Sequence, residues 1–157
     1  MDLSKYTIKS QEAIQRSQEL AVANGQQSIE PAHILKAILD VDDQVAPFLL
    51  KKLNVPLGVV SSVLDRMVER FPKVDGGQLQ LSRNSSTVLL KSVGIAEKMK
   101  DEYVSIEHLL LALLDVKDEA SQLLKDQGVS SKNLELAINE LRKGSKVNSA
   151  GHEGNYN

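Results

Sequence analysis

An all-α protein of eight helices, built as two copies of a four-helix unit about a pseudo-two-fold, is what three features of this sequence predict. The first is an internal repeat: "IEPAHILKAILDV" (29–41) returns as "VSIEHLLLALLDV" (104–116), and setting His33 on His108 fixes an offset of 75. The second is the palette. Hydrophobic residues make up 41% of the 157, aromatics only 3%, and there is no Trp, so the core must be Leu, Ile, Val, Ala and Met, which suits helix-on-helix packing. The third is apolar spacing by threes and fours throughout the matched stretches.

The repeat runs well beyond the quoted stretch. At the same offset Thr7 falls on Ser82, Ala13-Ile14 on Val88-Leu89, Ser17 on Ser92 and Leu20-Ala21 on Ile95-Ala96. After a one-residue change near 43–46 the offset becomes 74, with Leu49-Leu50-Lys51 on Leu123-Leu124-Lys125 and Val55 on Val129. Repeat one is therefore expected over 3–72, a connector over 73–78 and repeat two over 79–143, together a domain of 1–143.

In the first unit Ala13, Ile14, Ser17, Leu20, Ala21 and Asn24 form one stripe of a helix that Gly25 ends. Pro31 opens the second helix, where its missing N–H is no loss. The run "HILKAIL" is apolar on most sides and belongs at the centre of its unit; its counterpart starts with Ser105 as a cap and Glu107 in the first turn. A short third helix is expected around Val45–Leu53, and a fourth carries Leu57, Val60, Leu64 and Met67. Pro72 and Gly76-Gly77 mark the connector. The last stretch, "GSKVNSAGHEGNYN" (144–157), has no apolar periodicity and reads as a linker, as though the chain continued toward a further module.

Charge excludes some functions. The net charge is −2 with both signs interspersed and no basic run, which argues against nucleic acid and an anionic membrane surface as partners. Cysteine is absent, so there is no thiol chemistry, and a reducing, cytoplasmic setting is expected. No signal peptide or membrane span is legible in the sequence. His33 and His108 each sit in the first turn of equivalent helices, and neither belongs to a His-Glu-x-x-His pairing. Helix-start geometry or core packing accounts for them better than a metal or a general base. Thr7 and Ser82 read as N-caps. There is no phosphate-binding Gly-x-x-x-x-Gly-Lys loop and no nucleophile elbow; neither a catalytic residue nor a cofactor is expected. Leu90 lies outside the shared stripe, its counterpart being Gln15, and Tyr103 and Phe48 lie near helix ends. These large groups either line a groove between the units or pack between them.

The two "H-[I/L]-L-x-A-[I/L]-L" segments, with "AIQRSQELA" before the first, resemble the double Clp-N repeat of the Clp family of AAA+ unfoldases. The resemblance covers Leu3 to Gly144. "KYTIKSQEAIQRSQELA" and "IEPAHILKAIL" are similar to the disaggregase (ClpB-type) branch; other branches usually have Gly-Thr-Glu-His where this chain has Glu30-Pro31-Ala32-His33. The resemblance implies a domain that sits flexibly on a homohexameric ATPase ring, binds unfolded or aggregated polypeptides and feeds them to the pore in the stress response. The isolated domain would be monomeric and carry no ATPase activity. Carried over by position, the substrate groove would involve Thr7, Asp101 and Glu107, with Leu89, Leu90 and Tyr103 supplying apolar contact. Ala32 replaces glutamate in the first repeat, so the groove should be asymmetric in charge. About 200 Å² of apolar contact at about 25 cal/mol per Å² gives roughly 5 kcal/mol before ordering costs, which implies weak, fast-exchanging binding. The alternative partner is a folded adaptor.

Overall fold

The computed structural model describes residues 2–156; Met1 and Asn157, included in the expected domain and linker, lie outside the described residues. The first repeat holds α1 (Ile8–Ala23), α2 (Pro31–Val41), α3 (Val45–Lys52) and α4 (Leu57–Arg70). The second holds α5 (Arg83–Lys98), α6 (Ile106–Leu114), α7 (Glu119–Asp126) and α8 (Ser131–Arg142). Two short strands, β1 (Ser28–Ile29) and β2 (Gln80–Leu81), pair in parallel, and a 3-10 turn covers His152–Tyr156.

Side chains cap the helices where the repeat predicts. Thr7 Oγ1 accepts from Ser10 N at the start of α1, and Ser82 Oγ from Ser85 N at the start of α5. Asp42 reaches forward to the N–H groups of Gln44, Val45 and Ala46, and Asp118 to that of Ser121. Each satisfies donors that a helix start leaves orphaned. At the other ends the chain turns left-handed at Gly25 (φ 68°) and at its counterpart Lys100 (φ 60°), and again at Asn54 (60°) and Gly128 (89°).

The two repeats share one core. All nine residues of α6 are buried, and its aliphatic side chains form a single cluster with Ile34, Leu35 and Ile38 of α2 and with Leu49, Leu64 and Leu124. The pseudo-two-fold is written into the backbone. Ile29 pairs with Leu81, and Val104 bridges Tyr6, the same pair moved by 75 residues. Ser82 N donates to Ile29 O at 3.0 Å, and Thr7 N donates to Val104 O at 2.9 Å. Among the described residues, no single helix is long and apolar enough to cross a membrane.

The segment after α8 does not stand off as an open linker. Val147 is fully buried, and His152 and Glu153 nearly so. Apart from Val147 and the Tyr156 ring, its attachments are polar, made by backbone groups and by isolated Glu, His and Tyr side chains, and periodicity does not register contacts of that kind.

Candidate functional site

Each repeat holds its central histidine the same way. In repeat one Glu30 N–H donates to His33 Nδ1 at 2.8 Å, which leaves the proton on Nε2 to be donated to Gln26 Oε1 at 2.7 Å. Gln26 then donates from Nε2 to Val68 O. In repeat two Ser105 N–H donates to His108 Nδ1 at 2.8 Å, and His108 Nε2 donates to Asp101 Oδ2 at 2.7 Å. Both histidines are structural, placed by the helix start. Burial holds His33 down at about 4, against which the nearby Glu30 charge acts only weakly.

Three buried counterparts around the histidines differ in charge. Asp101 stands for Gln26, Glu107 for Ala32 and Arg142 for Val68. The three exchanges are one structure. Arg142 donates to Asp101 Oδ2 at 2.9 Å and lies 3.4 Å from Glu107 Oε1, with its side chain 4% exposed and both carboxylates at 0%. Burial alone would raise Asp101, but the bonds from His108, Val147 N–H and Arg142 outweigh it and hold the carboxyl at about 2. Glu107 behaves alike: burial opposes its charge, while His152, Arg142, Ser105 and Tyr156 hold it well below the usual carboxylate range.

The C-terminal segment closes over this node. Thr7 Oγ1 donates to Glu153 Oε2 at 2.7 Å, and Ile106 N–H donates to the same oxygen at 3.1 Å. Tyr156 donates its hydroxyl to Glu107 Oε1 at 2.7 Å and is also bonded to His152. Burial raises Glu153, with Thr7 and Ile106 partly offsetting it. Two carboxylate oxygens here, Glu107 Oε2 and Glu153 Oε1, make no hydrogen bond within the protein, an arrangement that costs about 1–3 kcal/mol for each.

Of the six residues singled out in the sequence, three therefore converge. Thr7, Asp101 and Glu107 meet around Arg142 and the tail, all buried. None of the three faces open solvent, because the chain's own side chains occupy them. Leu89 is buried in the core, Leu90 beside it is 76% exposed, and Tyr103 is half-buried in the loop between α5 and α6. Sequence reasoning passed over Arg142, Gln26, His152, Glu153 and Tyr156. Arg142 could have been found: a charged residue aligned with an apolar one in the other repeat marks a place where the buried chemistry has changed. Asp101 and His108 have their side-chain donors and acceptors engaged, and among the described residues no three His, Asp or Glu side chains could hold a metal ion.

A cleft of about 610 Å³ reaches Arg142 from between α5, α6 and α8, floored by Ile95, Met99 and Leu111. In repeat one the counterparts of Leu111 and Asn139 are Lys36 and Asp65, and their ion pair spans the corresponding gap.

Comparison with known proteins follows the same repeat. The family model described as the Clp repeat (R) N-terminal domain matches residues 5–151. The chain is 49% identical over 156 residues to the chaperone protein ClpB of Bacteroides thetaiotaomicron and 45% identical over 157 to that of Porphyromonas gingivalis. These alignments take in 99% and 100% of this chain, but the chain spans only 18% of the length of each relative. The fold is similar to the Hsp104 N-terminal domain from Candida albicans, with a TM-score of 0.84, 24% identity, and coverage of 96% of this chain and 99% of that one. It is also similar to the N-terminal domain of ClpV1 ATPase from E. coli, with a TM-score of 0.77, 18% identity, and coverage of 91% and 89%.

Proposed function

Because the chain belongs to the Clp repeat (R) N-terminal domain family, we propose that it is the substrate-gathering domain of a ClpB-like disaggregase. In this reading it weakly holds exposed apolar segments of unfolded or aggregated polypeptides and passes them to an ATPase ring, as part of a homohexameric cytoplasmic chaperone. The domain itself supplies binding and no hydrolysis.

The observation that supports this is Leu90. It is 76% exposed on α5 although its neighbour Leu89 is buried, and its counterpart in repeat one is the polar Gln15. A leucine kept in water contributes nothing to the core, and at a position that the other repeat fills with glutamine it offers an apolar contact to another chain. Ile8, at 55% exposed, adds apolar surface at the start of α1. Contact areas of this size give weak binding once ordering costs are subtracted, and weak binding suits a handoff.

The test is a titration of the isotope-labelled domain with a permanently unfolded polypeptide, such as reduced and alkylated α-lactalbumin. Amide shifts in fast exchange around Leu90 are expected, and Leu90→Ser should weaken binding about threefold or more. Absence of shifts with unfolded chains, alongside a saturable complex with a folded protein, would transfer the function to adaptor docking.

A further inference from the structure

The tail touches the domain at donors that would otherwise be orphans. Ala150 O accepts from Ile8 N–H at 2.8 Å in the first turn of α1, and Glu153 Oε2 accepts from Ile106 N–H in the first turn of α6. Thr7 Oγ1 aims at the same carboxylate oxygen. Two helix starts, each with its partial positive charge, thus converge on one spot. A carboxylate already sits there against the repulsion of Glu107 beside it, which is fully buried with one oxygen unpartnered. A further segment contact is Tyr156 on Glu107.

The segment is tied down lightly. Val147 is its buried apolar anchor. Beyond it the sequence runs Asn-Ser-Ala-Gly-His-Glu-Gly-Asn-Tyr, with two glycines and no large aliphatic side chain. Ordering such a stretch is entropically costly, and Glu153 is buried against the tendency of its charge. A few polar contacts set against those costs describe a contact near balance.

We infer that the His152–Tyr156 turn is an internal, displaceable ligand of an acceptor-binding site between the starts of α1 and α6. With the turn docked, the site is closed. With it lifted, the same donors receive a peptide that carries an acidic residue three positions before a tyrosine. That the outside occupant is a polypeptide rests on the function proposed above; that the turn is a ligand does not.

The experiment uses the chain carrying Glu153→Ala with Tyr156→Phe, and the milder Tyr156→Phe alone. Hydrogen exchange at the amides of Ile8 and Ile106 should accelerate at least tenfold in the double variant, while circular dichroism and exchange at Leu110 to Leu114, deeper in α6, stay unchanged. A synthetic peptide of residues 147–156 added in trans should restore that protection, and its Glu→Ala version, which lacks the acceptor, should bind at least tenfold more weakly. Unchanged exchange in the double variant, or no restoration by the peptide, would overturn the inference. Restoration by the peptide, with no binding of unfolded polypeptide to either variant, would uphold the internal ligand and defeat the proposed function instead.

Discussion

Arg142 stands where repeat one has Val68, and its neighbours Asp101 and Glu107 follow from it: a buried guanidinium needs partners, and two carboxylates supply them. Removing one partner leaves an uncompensated charge. Asp101→Ala should therefore cost about 3–5 kcal/mol of stability, whereas Gln26→Ala, its neutral counterpart, should cost about 1–3 kcal/mol; urea unfolding at pH 7 measures both. His33 predicts a pH dependence. His33 has a folded value of about 4 against 6.5 unfolded, so between those values the unfolded chain binds a proton that the folded chain refuses. Stability is complete above pH 6.5 and falls on acidification by an amount on the order of 3 kcal/mol. Asp101 acts lower, moving from 3.8 unfolded to about 2 folded; its contribution is complete above about pH 4 and disappears toward pH 2. Asn133 shows that asparagine can fill the same helix position, its Oδ1 accepting from Ser130 N–H. His33→Asn should thus keep the cap and abolish the slope between pH 4 and 6.5 in unfolding curves.

Helix ends are where the repeats can be checked against each other. Lys100 holds the left-handed conformation that glycine holds at Gly25, and no side chain gains from it. Lys100→Gly should stabilise the protein by about 0.5–1 kcal/mol, and Gly128→Ala, at φ 89°, should destabilise it by about 1–2 kcal/mol; thermal unfolding at fixed pH separates the two signs. Four helices were legible in the sequence because an apolar period followed a start of recognisable chemistry: Thr7, Ser82, Pro31 and Ser105 mark starts that the structure keeps. The polar half of the site was only partly legible. Thr7, Asp101 and Glu107 could be named one by one, but Glu153 and Tyr156 act through single hydrogen bonds from a stretch without period. No local pattern announces such bonds.

Across the molecule the two parallel pairings, Ile29 with Leu81 and Tyr6 with Val104, bind each repeat's first strand-like segment to the other repeat. The core they enclose is a single cluster. Neither repeat can bury its central helix without its partner, so residues 3–72 expressed alone should show no cooperative transition by calorimetry, while the full chain shows one. The duplication was legible down to its offset, because a repeated core must repeat its apolar residues. Its asymmetry was less so, since it resides in how three exchanged side chains meet.

Pro31 is the counterpart of Ile106, and proline has no N–H. Where the second repeat points a backbone donor at a carboxylate, the first has a ring carbon, and Ala32 stands there in place of Glu107. A molecule built twice over is thus monovalent: each chain offers one acceptor-binding end and one inert one. Calorimetric titration with the acidic peptide should saturate at one equivalent per chain. In any ring of such domains the number of grips equals the number of subunits, not twice that number.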